Sequence, residues 1–261
     1  MSITVATFNI WFDQYYIFER TKQIIFEIME TRPKLSVISL QEVTYEVYKI
    51  LKQCLSVYYF FTEYKPNQQY DTVILIDKKF KINHQFKESF THTKMKRNIE
   101  FVCITDNTTH KNYLISTAHL ESEFTKNKDQ TNRYKIDQFN ESFDILEKYI
   151  ENSKFAYELV IFMGDTNISN EENQLFETKI PTDWKDFYLE FGSPKHLEFT
   201  YDHTKNNNTY FPIKSRLDRI YYKKNKTSKM EPYMFSFLGQ EPYKKYLYSS
   251  DHFGVVANFS E

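Results

Sequence analysis

The chain has 261 residues, 41% of them hydrophobic and 26% charged, which suffices for a packed core and fits one large α/β domain or two small ones. Its net charge of −1 excludes a broadly basic surface, so any nucleic-acid contact has to rest on local cations. Cys54 and Cys103 are too few for a disulfide framework; both sit in apolar runs and read as buried thiols, and with no signal peptide or membrane-length apolar stretch an intracellular protein is expected.

Taken in chain order, a strand is predicted at once over 2–8, with no leader or accessory domain ahead of it. A helix over 17–30 follows, with Ile17, Phe18, Ile24, Ile25, Ile28 and Met29 at helical spacing, and Pro33 ends the pattern. A short apolar strand over 35–40 runs into Gln41-Glu42-Val43, and a second helix covers 47–55. Further strands are expected at 57–62, 72–77, 99–105 and 112–118, then a long amphipathic helix over 130–152. A buried strand at 159–163 runs into Gly164-Asp165-Thr166-Asn167, and late strands fall at 218–223 and 253–259. The Asn-rich stretch 205–214 reads as a loop and 223–229 as a charged turn. With 24 Phe and 21 Tyr the chain carries a coding bias, but with only 4 Gly, Gly164 and Gly254 mark special backbone needs. Strands and helices mix without strict alternation, which argues for an α/β fold of two packed mixed sheets with helices outside, in a single domain over 1–261.

Four segments place polar residues where a pure core would not: Thr7-Phe8-Asn9-Ile10, Leu40-Gln41-Glu42-Val43, Gly164-Asp165-Thr166-Asn167 and Ser250-Asp251-His252-Phe253-Gly254. The first three lie at carboxyl ends of apolar strands. The fourth lies at the amino end of a strand that would run the opposite way, so all four can meet at one edge of a two-sheet sandwich. Taken singly, each has a bland reading as a turn, a solvated loop acid or a surface pair. Together they would gather Asn9, Glu42, Asp165, Asn167, Asp251 and His252. Carboxylates so crowded repel unless a cation or shared proton intervenes. The donors are hard oxygens without Cys or paired His, which suits Mg2+, or Mn2+ in its place, better than zinc.

This ordered set resembles the signature of the endonuclease/exonuclease/phosphatase superfamily, and the likeness spans nearly the whole chain. It implies a four-layer, DNase I-like α/β sandwich with the site at one end of the paired sheets. Finer segments are similar to the 5′-tyrosyl-DNA phosphodiesterases: Thr166 in Gly-Asp-Thr-Asn, Thr93-Lys94-Met95-x-Arg97-Asn98, Ala118-His119-Leu120-Glu121-Ser122, Gly192-Ser193-Pro194-Lys195-His196, Thr200-Tyr201-Asp202 and Arg216-Leu217-Asp218-Arg219-Ile220. The chain departs from that pattern at Ser169 (usually Arg), Leu217 (usually aromatic) and Tyr201 (usually Trp), and the N-terminal ubiquitin-binding module of larger relatives is not expected.

The resemblance implies Mg2+-dependent hydrolysis of the bond between a DNA 5′ phosphate and the tyrosine of trapped topoisomerase II, in DNA repair. Glu42 is then the principal metal ligand with Asp251 beside it, Asp165 the base for the attacking water, and Asn9 and Asn167 the residues that fix geometry. His252 and His119 donate to the phosphate, and Ser122 can add a donor. Lys94, Arg97, Arg133, Lys195, Lys214 and Arg216 are candidate phosphate contacts, and Tyr201 a face for base stacking; the plain alternative for each cation is surface solvation. Arg219, beside Asp218 on an apolar strand, reads as a structural ion-pair partner. The expected partner is a single-stranded or 5′-overhang DNA end, met by a monomer without membrane contact. Tyrosyl-linked RNA, an abasic-site endonuclease or phosphoinositide phosphatase activity, and a silent binding scaffold are the competing readings.

Overall fold

The computed structural model describes residues 1–64, 69–122 and 127–261. The first half of the chain runs β1 (Ser2–Asn9), α1 (Ile17–Glu30), β2 (Val37–Val43), α2 (Tyr45–Leu55), β3 (Tyr59–Phe61), β4 (Asp71–Asp77), β5 (Phe80–Ser89), β6 (Asn98–Asp106) and β7 (Asn112–His119). The second half runs α3 (Lys128–Asn152), β8 (Tyr157–Asp165), α4 (Asn173–Glu177), β9 (Lys185–Asp186), α5 (Phe187–Glu190), β10 (Tyr201–Asp202), β11 (Lys214–Ser215), β12 (Asp218–Lys224), β13 (Glu231–Leu238) and β14 (Gly254–Ser260).

Two six-stranded sheets result, ordered β13-β14-β1-β2-β4-β3 and β5-β6-β7-β8-β12-β9. Alternation along β1 explains the layering. Ile3 and Val5 point into the core between the sheets, with Val37, Ile76, Ile115 and Ile161. Ala6 and Phe8 point outward, under Ile24 and Ile28 of α1 and Leu51 of α2. On the far side, Phe139, Phe143 and Leu146 of α3 cover Phe162 and Val160 of β8. The four-layer α/β sandwich expected from the sequence is therefore present, and central strands buried on both faces read as continuous apolar runs for that reason.

Strand directions bring the four polar segments to one pole. β1 is parallel to β2, so Asn9 ends beside Gln41. β14 is antiparallel to β1, so its amino end arrives at the same pole while Ser2 pairs with Ser260 at the other. There the chain ends meet, the Glu261 amide donating to the Met1 carbonyl at 3.0 Å. In the second sheet β7 is parallel to β8, which sets His119 against Asp165, and antiparallel β12 places Asp218 opposite Asp165.

Both marked glycines meet a close neighbour. A Cβ on Gly164 would stand 1.9 Å from the Ala118 carbonyl oxygen, and one on Gly254 would stand 2.7 Å from the Phe8 ring. Two features differ from the sequence reading. Cys54 is exposed, because it falls on the solvent face of α2, whereas Cys103 is buried. β5 and β13 were not anticipated; each is a sheet edge with one face toward solvent, so neither carries a sustained apolar run.

Candidate active site

Local backbone devices aim the side chains. The β2–β4 register shifts between Leu40 and Val43, and Glu42 takes the left-handed conformation (φ 60°), so this bulge turns its carboxylate out of the ladder. Glu42 Oε2 accepts from the Phe12 amide at 3.0 Å. The loop before β14 is fastened to β1, with Ser250 Oγ donating to the Asn9 carbonyl at 2.6 Å and accepting from the His252 amide at 3.1 Å. Arg20, almost fully buried on α1, donates to the carbonyls of Ile10, Trp11, Asp13, Tyr15 and Ser249 and so ties the segment after β1 to the loop before β14.

Asp165 sits at the centre. Its Oδ2 accepts from Asn9 Nδ2 at 2.8 Å, its Oδ1 from the Asn167 amide at 2.9 Å, and Oδ2 lies 3.4 Å from His119 Nε2 and 3.9 Å from His252 Nε2. Burial opposes its charge, yet His252, His119 and these hydrogen bonds hold the carboxyl below the ordinary range. The Asn167 side chain donates to the Leu120 carbonyl, which locks the turn after β8 to the end of β7.

The two histidines differ. Arg97 Nη1 lies 2.9 Å from His119 Nδ1, and a guanidinium can only donate, so the His119 proton is on Nε2, facing Asp165. Burial and the Arg97 charge hold this imidazole well below its ordinary range, hence neutral. His252 Nδ1 lies 2.7 Å from Asp218 Oδ2. Burial works against its charge, but Asp218, Asp251 and Asp165 outweigh burial and hold it well above the ordinary range.

Asp165, Asp218 and His252 offer donor atoms within 4.8 Å of one another, a spacing that a metal ion could bridge. His252 Nδ1 is nevertheless engaged by Asp218, and the surrounding carboxylates favour its protonated form, which competes with metal ligation. Glu42 and Asp251 fit a divalent cation better. Burial pushes both carboxyls up, Asp251 to about 7, each raised further by neighbouring carboxylates. Arg20, the cation nearby, directs its donors to backbone carbonyls instead. Two buried hard-oxygen groups that resist ionisation together are a suitable donor set for Mg2+.

Asn9, Glu42, His119, Asp165, Asn167, Asp251 and His252 are thus gathered at one pole. The proposed substrate contacts divide. Lys94, Arg133 and Lys195 are exposed. Ser122 is half-buried, its Oγ 3.2 Å from Met95 Sδ. Lys214 is partly exposed and lies 3.7 Å from Asp202. Three assignments need correction. Arg97 is buried behind His119 instead of lying on an open groove, its guanidinium 5.5 Å from the Tyr70 ring. Arg216 is buried and held by both Asp186 oxygens at 2.9 and 2.7 Å, so it is not free for phosphate. Tyr201 is buried with its ring 5.2 Å from His252, and its hydroxyl accepts from the Tyr210 and Phe211 amides; the exposed rings are Tyr210 and Phe211 themselves. Arg219, expected as a structural ion-pair partner, makes no ion pair among the described residues, but donates to the Arg216 and Ile168 carbonyls and to Asn173.

Sequence reasoning missed Asp218 as the partner of His252, Arg20 as the loop clamp and Glu121 as an organiser. Glu121 accepts from the Lys94 and Met95 amides and from Thr93 Oγ1, which joins two of the family-like segments in space. Arg20 had a signal, being a lone cation on the apolar stripe of α1 between Ile17 and Ile24.

Similar proteins share this plan. The chain is 30% identical over 226 residues to the tyrosyl-DNA phosphodiesterase 2 of Homo sapiens and 31% over 227 residues to that of Bos taurus, covering 85% and 84% of this chain. The chain spans only 58% and 57% of those two proteins' length. The structure of D. rerio TDP2 complexed with single strand DNA product superposes with a TM-score of 0.83 at 24% identity, over 100% of this chain and 99% of that one, a likeness of fold. Residues 6–252 match the Endonuclease/Exonuclease/phosphatase family, a span that includes every strand end bearing the polar cluster, and the chain belongs to that family.

Proposed function

We propose that this chain is a Mg2+-dependent phosphodiesterase, a single catalytic domain over 1–261, that hydrolyses the bond between a DNA 5′ phosphate and a tyrosine phenol and leaves a 5′ phosphate. Trapped topoisomerase II is the natural source of such ends. The observation that carries the reading is the meeting of Asn9, Glu42, His119, Asp165 and His252 around one point; the neighbours of Asp165 and His252 favour their charged forms, and burial with Arg97 favours neutral His119. Resemblance to tyrosyl-DNA phosphodiesterases supports the substrate class.

Glu42, with Asp251 beside it, would hold Mg2+, which would supply Lewis-acid withdrawal of charge from the phosphate. Asp165, kept ionised, accepts the proton of the attacking water, and Asn9 and the Asn167 amide hold its two oxygens in place. His252 Nε2–H and His119 Nε2–H donate to phosphate oxygens as charge develops, the first as a cation and the second as a neutral dipole. A tyrosine phenol, of pKa ~10 against a much higher value for a sugar alcohol, departs without a strong acid beside it. Positioning and electrostatics then supply most of the rate.

The test is cleavage of a 5′-tyrosyl oligodeoxynucleotide with and without chelator, beside 3′-tyrosyl, abasic-site, tyrosyl-RNA and inositol-phosphate substrates. The expected outcome is metal-dependent release of a 5′-phosphate product from the first, reduced about a thousandfold or more in Asp165→Asn. Turnover of another substrate with the 5′-tyrosyl end left intact would overturn the assignment.

A further inference from the structure

Beside the proposed reaction centre lies an open cleft of about 560 Å3, walled by Trp11, Tyr15 and Tyr16 from the segment between β1 and α1 and by Lys244, Lys245 and Tyr246 from the loop before β14. The lining also includes Asp13, Asn207 and Asn208, so its two lysines face one carboxylate. The cleft is linked to the site: the Trp11 amide donates to Asn9 Oδ1 at 3.0 Å, the Phe12 amide to Glu42 Oε2, and Arg20, its guanidinium 4.5 Å from the Trp11 ring, binds both walls together. The rings present their surface to solvent, Tyr15 at 55%, Tyr16 at 43% and Tyr246 at 64% exposure. Lys244 lies 5.4 Å from the Tyr16 ring and Lys245 5.4 Å from the Tyr246 ring, and neither makes an ion pair among the described residues.

Of the eight non-glycine residues at positive φ among the described residues, three line this cleft. Trp11 (φ 59°), Tyr16 (φ 49°) and Tyr246 (φ 61°) all adopt the left-handed region, which bulky side chains rarely occupy. Such strain is retained where surrounding structure enforces it and gathers at binding sites. Exposed aromatic faces interleaved with unpaired cations suit a chain that carries a flat ring and a negative charge at every step.

We propose that this cleft is a subsite for single-stranded nucleic acid, which holds nucleotides beyond the one at the reaction centre; the proposal rests on the phosphodiesterase reading and extends it. The bases stack on the exposed Tyr246 and Tyr16, and Lys244 and Lys245 face the phosphates. A peptide arm on the tyrosine is the competing occupant, and it lacks the repeated charge that the two lysines would meet.

The experiment compares wild type with Tyr246→Ala and with the double variant Lys244→Glu, Lys245→Glu, none of which touches the proposed catalytic groups. Fluorescence anisotropy in chelator, with short and long 5′-phosphorylated single-stranded oligodeoxythymidines, reads the cleft without catalysis. The long strand is expected to bind each variant about tenfold more weakly, the short strand equally. The double variant's salt dependence should be shallower by about 1.4 in log–log slope, two phosphate contacts at ~0.7 each. In cleavage assays KM rises for long tyrosyl oligonucleotides while kcat and the short substrate stay unchanged. Equal affinity at both lengths overturns the subsite. So does a loss of affinity that follows lengthening of a peptide on the tyrosine at constant strand length. A wild type that binds the long strand through these residues but leaves the 5′-tyrosyl bond intact overturns the reaction assignment, not the subsite.

Discussion

Asp218 sits 34 residues ahead of His252, yet its carboxylate, ahead of Asp251 and Asp165, contributes most to favouring the charged imidazole. Removing that anion should let His252 lose its proton at lower pH. Asp218→Asn is therefore expected to move the alkaline limb of the pH–rate profile down by about a unit or more, with roughly 10- to 100-fold loss at pH 8 and a smaller loss near pH 6. A profile superimposable on wild type would show that the charge on His252 is irrelevant. The sequence could mark Asn9, Glu42, Asp165 and His252, because each interrupts or ends an apolar run at a strand terminus. It could not mark Asp218 in its true role. Neighbouring Arg216 and Arg219 offered nearer charges, and only the antiparallel docking of β12 against β8 shows that both arginines are engaged elsewhere. Tyr201 misled for a related reason: an aromatic in a polar stretch reads as exposed, but its hydroxyl is satisfied by two loop amides that let the ring be buried.

Two elements set the working distance between His119 and Asp165, namely the parallel pair β7 and β8. Gly164 allows their approach. Gly164→Ala would press a methyl into the Ala118 carbonyl, and a loss of about 3 kcal/mol or more in urea unfolding is expected, with activity falling as the strand ends part. A second strain on the sandwich lies in β6. Glu100 is buried beside Lys87 of β5, 3.7 Å away, and accepts from Thr72 of β4 at 3.2 Å. Burial pushes its carboxyl from 4.5 up to about 7. Because the folded pKa is the higher one, folding favours the protonated form. Stability is then expected to fall as pH rises from about 4.5 to 7 and to level off above, by ~3 kcal/mol at most for this group. Glu100→Gln should flatten that fall, read by urea titrations at pH 5 and pH 8. Central elements were legible because burial on both faces leaves an unbroken apolar run, as in β8. Edge strand β5 was not, since its mostly exposed residues resemble a loop until β6 supplies its hydrogen bonds.

Over the whole molecule, a net charge of −1 coexists with a pole that concentrates buried carboxylates, while Lys94, Arg133, Lys195, Lys244 and Lys245 are exposed. A cation that neutralises the pole should therefore stabilise the entire fold. With Mg2+ at about a hundred times its Kd, ~2.7 kcal/mol is expected, a rise of roughly 5–10 °C in Tm. Glu42→Gln should lose most of that rise while melting no lower than wild type in chelator, since it removes one of the crowded charges. Equal Mg2+ responses in both proteins would place the cation elsewhere. Among the described residues, no helix is long and apolar enough to cross a membrane. The pairing of Ser2 with Ser260 has a further consequence. Chain ends that touch at the pole away from Asn9, a strand of 8 residues or about 26 Å distant at ~3.3 Å per residue, can be bridged by a short linker. With residues 1 and 261 so joined, new ends opened at the exposed Lys226 of this 261-residue stretch would give a circular permutant that cleaves at the native rate.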